Sequence, residues 1–216
     1  TEIVLQPGIL ALAETKYPAW IELRLRSLLP SLPSHRLKPE DQQRRSLTER
    51  NNAFMASLYQ WLRDDSRDKQ HLRSMAANLD DLKARKHIRF DAILMHVADD
   101  PEIDPWLLHV MAGEYYSDEA WKARGTSFAS DVKPENWAKF QNDLELAKPH
   151  VRRAWLLHPE HPRTAAQMIR IANSHNDGER TPADWMQHAV AAQFDYASAY
   201  HSYRFATLSR WGGSPE

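Results

Sequence analysis

Between Trp106 and Ala172 apolar residues return every three or four positions, and they never alternate with polar ones over the length of a strand. Trp137, Phe140, Leu144, Ala147, Val151 and Ala154 trace one such face. That spacing places them on one side of an α-helix. The rest of the chain follows the same period and contains only six glycines. These features predict an all-α fold. Its helical hairpins are expected to stack as a tetratricopeptide-like α-solenoid or to form an irregular helical bundle. We read residues 1–216 as a single α-helical domain. The alternative division is an N-terminal helical part, 1–100, followed by a repeat-like part, 101–216.

Proline and capping residues mark where helices begin and end. Helical segments are expected over 6–29, 39–62 and 70–97, separated by a connector at 31–37 and a charged turn at 64–69. Asp104 before Pro105 reads as an N-cap and first-turn proline. That helix stops at Arg124-Gly125, because glycine accepts the left-handed backbone and arginine suits the negative end of the helix dipole. The next helix opens at Asp131–Pro134 and runs to Leu157, with Pro149 inside it as a kink. Pro159 and Pro162 bracket the following turn, and a helix covers 164–173. After a loop at 176–178, Thr181-Pro182 caps another helix that ends near Gln193. Asp195 is expected to cap the last one, which runs to Leu208 and stops at Gly212-Gly213.

Composition narrows the function. Lysine and arginine number 28 against 29 aspartates and glutamates, for a net charge of -1. Nucleic-acid binding usually requires a basic excess or stripe, so no nucleic-acid partner is expected. The chain has no cysteine, which excludes a thiol nucleophile, a disulfide scaffold and a cysteine zinc site. No apolar run approaches the roughly 20 residues of a membrane span. The start, TEIVLQPGIL, has neither an initiator methionine nor the layout of a signal peptide. It reads as a processed or trimmed start, and the cytoplasm is the expected location.

The chain also compares with itself. A shift of about 35 residues, near the helix-turn-helix repeat period, lays Ala154 on Ala189 and Leu157 on Ala192. It also lays Ala165 on Tyr200 and Met168 on Tyr203. Each copy reads as an alanine-rich helix end, a turn and a new helix.

Glu119–Gly125 (EAWKARG), Trp137, Phe140, Ala147, Ala154–Pro159, Met168 and Arg210–Ser214 (RWGGS) resemble a bacterial family of tetratricopeptide-like helical proteins known as a domain of unknown function (DUF 4034). The resemblance runs from Trp106 to Ser214, about half of the chain. It implies a helical-repeat fold and no particular activity. Ser209 stands where that family has proline. The family chain continues beyond this point, so the resemblance also implies a missing C-terminal piece.

Several side chains invite a functional reading. Trp121, Trp137, Trp155 and Trp211 suit either a helix-packed core or an aromatic ligand pocket, and packing is the commoner use of such rings. Arg124 and Arg210 stand beside glycine at helix ends. Each could complement a dipole, pair with Glu114 or Glu119, or bind an anion. We take Glu114, Trp121, Arg124, Arg210 and Trp211 as the candidate binding residues. No catalytic residue is assigned, and no cofactor is expected. His158 and His161 have a metal-pair spacing but lie in a proline-bracketed turn without a visible third ligand, so no metal site is expected. Asp99, Asp100, Glu102 and Asp104 crowd one turn without the glycine and terminal glutamate of a calcium loop. Glu114 and Asp118 share a helix face but lack the second-helix ligands of a di-metal site. Lys83, Arg85, Lys86 and Arg89 lie next to Asp80 and Asp81, as in an exposed mixed-charge face.

The expected function is therefore a helical-repeat module that binds another protein. One alternative is a hydrolase or small-ligand enzyme with a pocket near Glu114, Arg124 and Arg210. The other is a homo-oligomeric structural or regulatory subunit.

Overall fold

The computed structural model describes residues 52, 55–63, 90–174 and 179–208. The elements expected before residue 52 and over 64–89, the 176–178 loop and the Arg210–Gly213 ending lie outside these residues. The chain divides into two compact units, Thr1–Asp104 and Pro105–Glu216. All regular structure among the described residues is helical. None of these helices is long and apolar enough to cross a membrane.

In the first unit, residues 55–63 are helical, and α1 spans Phe90–Val97. Leu58, Trp61, Leu62, Ile93, Leu94 and Val97 are buried. Tyr59 stacks on His96 with ring centroids 4.1 Å apart. Arg63 Nε donates to Asp100 at 2.7 Å. Asp100 also accepts the Glu102 backbone N–H at 2.9 Å. The acidic turn thus uses one carboxylate to close itself, as Asx turns do.

The second unit contains α2 (Pro105–Arg124), a short 3-10 turn (Ala129–Asp131), α3 (Pro134–Leu157), α4 (Pro162–Ser174), α5 (Pro182–Ala192) and α6 (Ala197–Thr207). Pro105, Pro134, Pro162 and Pro182 each occupy the first position of a helix. Their missing N–H is one the helix leaves unbonded there in any case. Helix α2 stops at Gly125, which takes φ +70° while its N–H bonds the Trp121 carbonyl at 3.0 Å. Helix α3 continues through Pro149 without a break.

Helices α2 and α3 form an antiparallel hairpin. Trp106 meets His158, His109 meets His150, and Trp121 meets Phe140, so position on α3 falls as position on α2 rises. Between these contacts Gly113 lies against Val151. Helix α4 then packs on α3, α5 and α6. Ala147, Ala165, Ala189 and Ala199 are almost fully buried, and small side chains let helix axes approach closely. Phe140, Leu144, Met168, Ile169 and Trp185 fill the remaining space.

Two consecutive steps of this unit share one spacing. Helix α3 ends at Leu157 and α5 at Ala192, while α4 begins at Pro162 and α6 at Ala197. Both differences are 35 residues. The closing bonds match as well, since the His158 N–H reaches the Ala154 carbonyl and the Gln193 N–H reaches the Ala189 carbonyl. The correspondence extends to burial at Ala154 and Ala189 but not at Ala165 and Tyr200, where the first is buried and the second exposed.

One expected cap differs. Asp195 accepts from its neighbour Gln193 at 3.0 Å, and Tyr196 is the N-cap of α6 with no side-chain cap bond. At α5 the expected cap is present in its reciprocal form. The Asp184 N–H donates to Thr181 Oγ1 at 3.2 Å, and the Thr181 N–H donates to the Asp184 carboxylate at 2.8 Å.

Candidate functional site

The residues singled out in the sequence occupy different places. Glu114 lies in the middle of α2, is 7% exposed, and faces α4. Arg163 donates to its Oε1 at 2.5 Å and Gln167 Nε2 at 2.6 Å. Arg210, one of the two arginines weighed as its partner, lies outside the described residues, and the other, Arg124, lies ten residues away on the same helix. That is about 15 Å along its axis.

Arg124 is 4% exposed. It donates to the carbonyls of Gly125 at 3.1 Å and Ser127 at 2.6 Å, which shapes the turn after α2. Its guanidinium also lies 5.6 Å from the Trp137 ring centroid. Trp121 packs edge-to-face on Phe140 and Phe205, with the Arg170 guanidinium 5.7 Å from its ring centroid. Glu119 binds Lys122 on the same helix at 2.6 Å. The EAWKARG segment therefore contains a half-buried tryptophan packed against the core and a helix-stopping arginine-glycine pair. Arg210 and Trp211 lie outside the described residues.

A more accessible constellation sits between the C-terminal half of α3 and the start of α5. A cleft of about 400 Å³ is lined by Arg152, Trp155, Leu156, Glu179, Arg180 and Trp185. That volume falls within the usual range of ligand sites. Trp155 and Trp185 meet edge-to-face, with centroids 5.3 Å apart and planes at 89°. The Arg180 guanidinium lies 4.8 Å from the first ring centroid and 5.0 Å from the second, within range of a cation–π attraction. Arg152 and Glu179 form a two-pronged ion pair at 3.0 and 2.9 Å. Leu156 is 63% exposed at the edge.

Local structure positions these groups. Trp155 and Leu156 occupy the last turn of α3. Arg180 immediately precedes the Thr181 cap. Hydrogen bonds from Thr181, followed by the positive charge of Arg180, hold the Asp184 carboxyl below its ordinary range. The cap therefore ties the arginine-bearing segment to the helix that supplies Trp185. In the sequence Trp155 stood only among four tryptophans suited to core or pocket, outside the candidate binding residues, and its cleft neighbours were not singled out. Trp185 is thirty residues away, and no spacing rule joins the two.

Two histidine arrangements also stand out. His109 Nδ1 and His150 Nδ1 approach to 3.0 Å across the α2–α3 hairpin, and Tyr116 stacks on His150. Burial pushes both imidazoles below their ordinary pKa, and the charges of His150 and Arg153 lower His109 further. The second group is His158, Glu160 and His161, which each present one ligand-type atom, all within 4.8 Å of one another. Glu160, between the two histidines, is the third ligand-type residue that the sequence reading had not seen. Its acidity reflects opposing influences. Partial burial raises its pKa, while the hydrogen bond with His158 and the neighbouring backbone lower it more, leaving a net depression.

No family model, curated protein or solved structure matches the chain.

Proposed function

We propose that this chain is a helical-repeat module that binds another protein through the Trp155–Trp185 cleft. The cleft itself is the observation that carries this reading. It joins two tryptophans and an exposed leucine to two arginines and one glutamate. Tryptophan and arginine are the residue types most enriched at energetic centres of protein interfaces. The two arginines against one carboxylate favour a partner segment carrying both an apolar side chain and an acid. The apolar group would pack on Leu156 and Trp155, and the acid would compete with Glu179 for Arg152 or with the indole rings for Arg180.

The 35-residue offset between successive helix ends supports the repeat part of the reading. Stacked helical hairpins commonly present extended surfaces to partners.

Photo-cross-linking from position 156 of the full chain, in its cell of origin, tests the proposal. A discrete product with another protein is expected, and it should disappear when Arg152→Glu and Arg180→Glu are combined. Products unchanged by these substitutions would remove the cleft from the binding surface. A product made only of two copies of this chain would replace the heterologous partner with self-association.

A further inference from the structure

We propose that the His158–Glu160–His161 turn binds a divalent transition ion of the zinc class through two imidazole nitrogens and one carboxylate oxygen. The site is separate from the Trp155–Trp185 cleft and does not rest on the protein-binding reading.

The turn between α3 and α4 brings these groups together. Pro159 and Pro162 fix two backbone torsions within five residues. The His161 N–H bonds the His158 carbonyl at 3.1 Å, and Thr164 Oγ1 donates to the His161 carbonyl at 3.4 Å. As a result the imidazoles lie with their centroids 5.3 Å apart. The Trp106 indole backs both, at 4.6 Å from His161 and 6.0 Å from His158. His161 is 6% exposed. The side that faces water carries Glu160, whose side chain is 58% exposed.

The distances suit metal chelation. In a tetrahedral zinc site with bonds of about 2.0–2.2 Å, ligand atoms lie about 3.3 Å apart. His158 Nδ1 and Glu160 Oε1 are already 2.7 Å apart, and all three ligand atoms lie within 4.8 Å. Closing the triangle takes about 1.5 Å of movement at most to reach that zinc geometry, and the Glu160 side chain that makes it lies on the solvent side. Two nitrogens and one oxygen favour zinc, cobalt, nickel or copper over magnesium and calcium, which take oxygen ligands. Three protein ligands leave a coordination position for water or a partner's side chain.

The test is titration of chelator-treated full-length protein with Co²⁺ and Zn²⁺, read by the visible absorption of bound cobalt and by calorimetric stoichiometry. One ion per chain is expected, and zinc should displace cobalt. Glu160→Gln and His158→Gln should each weaken binding at least about tenfold, since each removes one of three ligands. Circular dichroism verifies that the variants are folded, and the exposed Glu160 gives the cleaner comparison. His150→Gln, which alters the other histidine pair, should leave this binding intact. Absence of the cobalt signal in the parent protein would overturn the proposal. So would affinity unchanged by both ligand substitutions, or a signal lost in His150→Gln instead.

Discussion

Replacing Gly113 with alanine should destabilise the α2–α3 hairpin, although alanine is the better helix former. Gly113 lies inside α2, where exchanging glycine for alanine normally gains about 1 kcal/mol of helix propensity. Here an added Cβ would lie 2.5 Å from Val151 Cγ2 and 3.4 Å from the Val151 backbone nitrogen. Ordinary carbon–carbon contacts lie at about 3.5–4.0 Å. Valine cannot readily turn away, because a β-branched side chain in a helix has one strongly preferred rotamer. Val151 is also fully buried. Overpacking of this kind costs about 1–3 kcal/mol, so Gly113→Ala should lose about 1 kcal/mol net once the propensity gain is subtracted.

The decisive comparison uses Val151→Ala. Removing two buried methyl groups should itself cost about 2 kcal/mol through lost burial and a residual cavity. In that background Cγ2 is gone, and the same Gly113→Ala change should stabilise by about 1 kcal/mol. The sign of one substitution therefore reverses with its neighbour. Native-state hydrogen exchange at the α2 and α3 amides provides the assay, because it reports local stability in a chain with two compact units. A stabilising Gly113→Ala in the parent protein, or no change of sign beside Val151→Ala, would refute the close-approach argument.

Two further outcomes follow from the same unit. The His109–His150 contact should lose stability below about pH 6.5, the ordinary imidazole pKa. Both folded pKa values are depressed, so the unfolded chain takes up protons first as the pH falls. The stability is fully present above that pH and declines as pH drops through the folded values. Urea midpoints measured from pH 7.5 to 5.0 should fall less steeply in His150→Leu than in the parent, and an identical slope would dismiss the pair as the source. Separately, Arg163→Met should cost about 3 kcal/mol, because it removes the cationic partner of the buried Glu114 carboxylate and leaves it neutral donors such as Gln167. Combining it with Glu114→Leu should restore much of that loss in the same urea assay, and a purely additive double mutant would show that the two groups are not coupled.

What the sequence determined by itself are the places where helices start and stop in the second unit. Pro105, Pro134 and the Thr181-Pro182 pair open helices, and Gly125 closes one, because fixed φ values and cap hydrogen bonds act over only a few residues. Even there the limit is visible at α6, where Asp195 had a nearer acceptor role with Gln193 than capping. Partner choice belonged to the tertiary structure. Glu114 found Arg163 on α4, not an arginine on its own helix. Trp155 found Trp185, and His109 found His150. A sequence period states which face of a helix is apolar. It does not state how that helix is rotated or shifted along its neighbour, and a slide of one residue, about 1.5 Å, exchanges one contact for another. Those offsets are set by close contacts such as the Gly113 backbone against the Val151 side chain, and only the folded chain contains that information.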